Sequence, residues 1–211
     1  MDNQALNRSL RATLWPALRE AGFVTRTDRI AWRHGRGHTD LIEVSALGSA
    51  ADAVGATPTS FSAYVGSVPA WFSGRPVPVR KGLPAPHYWN CDLQRTLHKT
   101  LSQPWFTPFS RPPAATTPRS FLLHREGLKQ VFRRDTHDRP AVWFVRDDGS
   151  NLDEVVRDLL HVVSTVGLPV LDAFHDPAAV IAMAEGGELN ASPDSPAARN
   201  LIDQARQALP H

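Results

Sequence analysis

Residues 28–68, DRIAWRHGRGHTDLIEVSALGSAADAVGATPTSFSAYVGSV, decide the fold. Within 39–47, Ile42, Val44 and Ala46 alternate with Leu41, Glu43 and Ser45. Within 60–68, Phe61, Ala63 and Val65 alternate with Ser60, Ser62 and Tyr64. A period of two marks a strand with one buried face, and a one-residue slip would turn that face to water. Residues 29–33 carry Ile30 and Trp32 between arginines and form a first, shorter strand. His34-Gly35-Arg36-Gly37-His38 joins it to the second strand, a Gly-rich connection of hairpin length. An antiparallel sheet is the economical reading.

Helices flank this sheet. Leu6, Leu10, Leu14 and Leu18 recur every fourth residue, with Trp15, Ala17 and Ala21 widening the stripe, so residues 3–21 read as an amphipathic helix. Pro16 predicts a kink within it, and Gly22 a left-handed C-terminal cap with Phe23 packing back. Further on, 141–145 is a short apolar β-like run and Asp147-Asp148-Gly149 a turn. Leu152, Val155, Val156, Leu159, Leu160, Val163 and Val166 then form a wide helical stripe. Ser150 or Asn151 is expected to cap this helix, and Gly167 with Pro169 to end it. Asp176-Pro177 and Ser195-Pro196 open two more helices, the second striped by Leu201, Ile202, Ala205 and Leu209. The order of helix, strands and helices is an α+β pattern. It predicts one domain over 1–211, an antiparallel sheet covered by N-terminal and C-terminal helices, with long Pro-rich loops in the middle.

Those loops are residues 69–118, which hold 10 of the 18 prolines together with Trp71, Phe72, Trp89, Trp105, Phe106 and Phe109. Disordered segments are poor in aromatics, so this region reads as irregular loops pinned to the domain by their rings. Inside it, Leu93, Leu97 and Leu101 fit a helix stripe, whereas Cys91, Leu93, Arg95 and Leu97 would share one face of a strand. Periodicity leaves both open.

A chain of 211 residues, 42% hydrophobic and 21% charged, has the composition of an ordinary soluble protein. No apolar run approaches the roughly 18 to 20 residues that a membrane span needs, and the first residues are polar and acidic, which predicts a soluble, unexported, cytoplasmic protein. A single cysteine, Cys91, excludes an internal disulfide and a multi-thiolate zinc site. The 20 arginines against 3 lysines, with abundant alanine, read as the coding bias of a GC-rich bacterial genome. Charge placement says more than the net +2: residues 1–68, 69–139 and 140–211 carry formal balances of +1, +8 and −7. A basic middle could meet an acidic partner or nucleic acid, but the preferred expectation is that the acidic third, which ends in an acidic C-terminal helical extension over 172–211, folds back and neutralises it within the monomer.

Three pieces together resemble the bacterial domain of unknown function 4304 family. They are Leu18-Arg19-Glu20-Ala21-Gly22-Phe23 closing an amphipathic segment, the strand with Trp32-Arg33, and Asp40-Leu41-Ile42-Glu43-Val44 followed by Ser60-Phe61-Ser62-Ala63-Tyr64-Val65-Gly66. Cys91-Asp92-Leu93-Gln94-Arg95 and the helix closing in Gly167-Leu168-Pro169 extend the resemblance, which covers residues 6–171. It implies a compact α+β fold and favours a strand for the Cys91 stretch. It implies no activity for any residue. The insert 107–118 and the tail after Asp172 correspond least.

The sequence lacks a phosphate loop, a Gly-x-Ser-x-Gly elbow and a His-Glu-x-x-His pair. No metal and no cofactor are expected. His87, Cys91 and His98 form the cluster nearest to reactivity, because a thiolate needs an imidazole or cation beside it. A solitary cysteine is more often a small buried hydrophobe, and that is the reading adopted for Cys91. His34 and His38 read as turn histidines, and the odd spacing of Asp40 and Glu43 sends them to opposite faces of a strand. Two function classes follow. The preferred one is a non-enzymatic protein that binds a macromolecule, with an immunity or accessory protein of a bacterial gene pair as one form of it. Its candidate contacts are His87, Trp89, Cys91, Arg95, Arg75, Arg80 and Lys81, and another protein is a more natural partner than nucleic acid. The alternative is a small enzyme with its site around His87 to Arg95.

Overall fold

A computed structural model describes residues 3–54, 56–73, 87–103, 139–189 and 193–209. Arg75, Arg80, Lys81, Arg133, Arg134, the aromatics Trp105, Phe106 and Phe109 and the insert 107–118 lie outside the described residues.

The chain opens with α1 (Asn3–Glu20), whose leucine stripe Leu6, Leu10, Leu14 and Leu18 is buried and which carries Pro16 inside it. Gly22 ends it at φ +88°. Phe23 N–H donates to Leu18 O at 2.9 Å and Gly22 N–H to Arg19 O at 3.0 Å, the paired bonds of a Schellman cap, and Phe23 is buried against the core as expected.

The sheet has five strands in sequential order, every neighbour antiparallel: β1 (Thr25–Arg26), β2 (Ile30–Gly35), β3 (His38–Ala46), β4 (Phe61–Pro69) and β5 (Leu93–Thr96). The hairpin between β2 and β3 turns on Arg36 and Gly37, the latter at φ +84°, where only glycine is unstrained. In register, Ile42 pairs with Val65 and Val44 with Ala63, and these side chains share one face with Ala31, Leu93 and Leu97. That face carries the main core. On the other face, Ile30, Trp32, Leu41, Val68 and Cys91 form a smaller cluster, with Tyr88 packed on it. A short α2 (Ala70–Ser73) follows β4 directly.

The main face is covered by α1 and by a long C-terminal helical run. Its first part, α3 (Leu152–Val162), buries Leu152, Val155, Val156, Leu159 and Val162, and Ser9 of α1 donates to its Asp153 at 3.1 Å. Contrary to the sequence expectation, Gly167 and Pro169 do not end it. The backbone widens into a π turn over Val163–Gly167, with Leu168 N–H bonding Val163 O, and continues as α4 (Leu168–Ala173). The wide turn absorbs the donor that Pro169 lacks. Gly167 brings the helix onto the sheet, for a Cβ there would lie 3.3 Å from Val65 Cγ1 and 3.5 Å from Leu97 Cδ1. Then come α5 (Pro177–Glu185), capped by Asp176 on Ala178 N–H, and α6 (Pro196–Ala208), capped by Ser195 on Ala198 N–H. Both start where the sequence placed them.

Two local expectations are corrected, and the Cys91 stretch, which periodicity left open, is settled. Residues 141–145 make no strand; only Trp143 bridges to Phe61, because Gln103 satisfies Phe144 N–H and O and Ser60 Oγ accepts from Val145 N–H. Side chains have taken the bonds that a neighbouring strand would have made. Neither Ser150 nor Asn151 caps α3: the Asn151 amide accepts from Arg146 N–H and donates to Phe144 O, fastening the preceding turn instead. The Cys91 stretch is a 3₁₀ turn, Tyr88–Asn90, leading into the strand β5. Among the described residues no single helix is long and apolar enough to cross a membrane.

Candidate functional site

The sequence-selected residues do not assemble into one site. Arg95 pairs in register with Val65, on the helix-covered face, and its guanidinium meets Glu188 at 3.4 Å. His98 is exposed and lines the same cleft as Arg95, Glu188 and Leu189. His87, Trp89 and Cys91 belong to the other face. Cys91 does not share the Leu93 side, as strand periodicity implied, because β5 begins only at Leu93 and the 3₁₀ turn lays Cys91 over Gly66 instead. The thiol donates to a carbonyl, His87 O at 3.7 Å, and not to an imidazole. Burial, then the carboxylates of Asp92, Asp40 and Glu43, push its pKa far up, so it stays a neutral thiol. No thiolate–imidazole pair exists here.

What the segment does form is a rigid aromatic ledge. Glu43, pointing from β3 to this face and nearly buried, accepts from Tyr88 N–H at 3.1 Å and lies 3.3 Å from His87 Nδ1. Tyr88 stacks on Tyr64 of β4 with ring centroids 3.9 Å apart, and burial together with Tyr64 and Glu43 raises its phenol pKa. His87 stacks under Trp89 at 4.3 Å, and Tyr88 meets the same indole edge-on at 5.3 Å. Trp89 is held on two sides yet keeps 56% of its surface exposed.

A second cluster, missed in the sequence, sits at the end of the helix-covered face. Asp40 lies in phase with Ile42 and Val44, so its carboxylate points into the core side and is wholly buried. A buried charge demands partners, and four elements supply them. Arg33 of β2 donates through Nε to Oδ2 at 2.9 Å, Ser67 of β4 through its hydroxyl to Oδ1 at 2.7 Å, and His175, from the corner between α4 and α5, lies with Nε2 3.0 and 3.1 Å from the two oxygens. His38 Nε2, at the start of β3, is 3.7 Å from Oδ2, and its ring stacks on His175 with centroids 3.6 Å apart. Arg33 reaches outward to Asp172 at 2.6 Å, and Trp71 Nε1 holds the corner by donating to Phe174 O at 3.2 Å.

Electrostatics follow from this packing. Burial alone would raise the Asp40 pKa; the bonds from His175 and Ser67 and the charge of Arg33 outweigh it and hold the carboxyl below its ordinary value. The His38 imidazole is pushed down, first by burial and then by His175 and Arg33, against the pull of Asp40. The histidine therefore departs from its expected role as a plain turn residue. Gly35 makes this possible: a Cβ there would lie 2.2 Å from His38 Cε1 and Nε2, so the ring lies in space that the missing side chain leaves. The available signal was a carboxylate, Asp40, in phase with an apolar face, and Ser67 in phase with Val65 on the strand beside it. Nothing in the spacing pointed to His175.

The chain matches no protein-family model, no curated protein and no solved structure.

Proposed function

We propose that this protein is a non-enzymatic binding protein that recognises another protein, with the aromatic ledge around Trp89 as its contact surface and the Arg-rich middle segment beside it in sequence. One observation carries the reading: Trp89 is an exposed indole fixed in place by stacking on His87, which is itself set by the buried Glu43. Tryptophan, tyrosine and arginine dominate the residues whose truncation weakens interfaces most. A side chain already immobilised loses little further conformational freedom on docking, which leaves more of its burial to favour association. The rival reading, an enzyme around His87 to Arg95, needs an activated nucleophile, and here Cys91 faces Gly66 while Arg95 sits on the opposite side of the sheet. An immunity or accessory protein of a bacterial gene pair belongs to the same binding class; the resemblance to the domain of unknown function 4304 family implies no activity and favours neither class.

The test uses the product of the neighbouring gene in the source genome as partner, with wild-type protein and Trp89→Ala immobilised in parallel. Binding by the wild type with a loss of about tenfold or more in Trp89→Ala, as for an interface hot spot, supports the proposal. Equal affinity for the two refutes the ledge as the contact. Binding to DNA alone, falling steeply with salt, would place the function in the basic middle instead.

A further inference from the structure

We propose that His38, Asp40 and His175 form a binding site for one divalent transition-metal ion of the zinc class, held by two imidazole nitrogens and one carboxylate oxygen. The sequence led to no expected metal, because these residues come from a strand and a helix corner far apart in the chain. The ligating atoms all lie within 4.8 Å of one another. Zinc bonds nitrogen at roughly 2.0 to 2.1 Å and carboxylate oxygen at about 2.0 to 2.2 Å, which makes the edge of a tetrahedral site about 3.4 Å long. The two imidazole separations from the shared oxygen, Asp40 Oδ2, bracket that edge: 3.1 Å for His175 and 3.7 Å for His38. Both rings already present Nε2 to the same carboxylate; they stack with 21° between their planes, so each ring turns about its side-chain bonds for the in-plane lone pairs of both to converge on one ion.

The surroundings fit this role. A carboxylate offers about four lone-pair sites, so Ser67 on Oδ1 and Arg33 on Oδ2 orient Asp40 without exhausting it, as partners behind a metal ligand commonly do. Charge is short by one: Asp40 and Asp172 oppose the single guanidinium of Arg33, so with neutral imidazoles the cluster is net negative and accepts a cation. Access is open on one side, since the side chains of His38 and His175 are 21% and 26% exposed while Asp40 is wholly buried. Three protein ligands with a solvent-facing side leave a position for water, as in zinc sites that are not closed by a fourth side chain. This inference is independent of the Trp89 ledge, which lies on the other face of the sheet.

The experiment is calorimetric titration of untagged, chelator-treated protein with Zn²⁺ at neutral pH, paralleled by Co²⁺ and its visible d–d absorption. The expected result is one ion per chain with tetrahedral-type cobalt bands. His175→Ala should weaken binding about tenfold or more, in the range by which lost metal-site support acts. Because that variant also removes a partner of a buried carboxylate, Gly35→Ala provides the second test. The three atoms nearest its new methyl group all belong to the His38 ring, at 2.2 to 3.0 Å, so the ring must swing out of the cluster and zinc affinity should fall by a comparable factor, with far-UV circular dichroism showing that the fold is kept. Absence of stoichiometric uptake by the folded wild type overturns the proposal. So does uptake that is undiminished in both variants, which would place the ion on other histidines.

Discussion

Replacing Gly66 by alanine tests how the small second face of the sheet is built. Gly66 sits within β4, paired to Leu41 on one side and Gln94 on the other, so its backbone cannot retreat without breaking two ladders. A Cβ at this position would lie 2.7 Å from Cys91 Sγ and 3.0 Å from Cys91 Cβ, whereas ordinary contact begins near 3.4 Å. Overpacking of this kind costs about 1 to 3 kcal/mol. The reduced freedom of the unfolded chain returns about 0.4 to 1 kcal/mol, so Gly66→Ala should lose about 1.3 kcal/mol, the midpoint of a range from about 0 to 2.6 kcal/mol. Cys91→Ala removes the closer of the two clashing atoms. In the double variant the Gly66→Ala cost should fall by about 1 kcal/mol, a coupling typical of residues in contact. Urea unfolding with unchanged slopes measures each corner of the cycle. Thiol labelling of the native wild type should be slow and become fast in denaturant, because Cys91 is buried and its thiol is held neutral. A Gly66→Ala variant as stable as wild type, or a cost that persists undiminished without the Cys91 sulfur, would refute the packing of Cys91 on Gly66. Rapid native labelling would refute its burial and restore the case for a reactive cysteine.

Three further outcomes are expected. Leu159→Ala, in the centre of the fully buried stripe of α3, should cost about 2 to 5 kcal/mol in the same unfolding assay, and a loss below about 0.5 kcal/mol would mean that the stripe does not face the sheet. Glu188→Gln removes an ion pair between the acidic extension and the basic middle, its pairing with Arg95; both ends are solvent-accessible, so stability should change by at most about 1 kcal/mol, with the difference vanishing in high salt. Neutralising Glu185, Glu188, Asp194 and Asp203 together raises the charge by four, and should raise salt-sensitive affinity for an acidic polymer if the extension shields the middle.

Local periodicity was enough for the sheet and most helices. The alternation of Ile42 and Val44 marked the face of β3 that meets the main core, although the strand is buried on both faces rather than one, the leucine stripe marked α1, and Asp176-Pro177 and Ser195-Pro196 marked helix starts within a residue, because each of these signals is satisfied by the segment that carries it. Prediction failed where the backbone's partners came from elsewhere. Residues 141–145 had the composition of a strand, but Ser60 and Gln103 filled their hydrogen bonds. Gly167 and Pro169 had the look of a stop, but packing against Val65 and Leu97 carried the helix through a π turn. Cys91 fell on the opposite face from Leu93 because a 3₁₀ turn, invisible to a period-two pattern, intervenes.

The candidate sites divide in the same way. Glu43 and Asp40 could be sent to opposite faces from their spacing alone, since side-chain direction along a strand is a local property. What each carboxylate meets there is not local. Glu43 reaches His87 across 44 positions, and Asp40 reaches His175 across 135, through a helical run whose length and corner depend on how closely Gly167 settles on the sheet. The sequence by itself determined that Asp40 and Glu43 point to opposite faces of β3; only the tertiary structure, by pairing β2 and β4 with that strand and packing the α4–α5 corner over its end, decided that Asp40 would be buried among two histidines, a serine and an arginine.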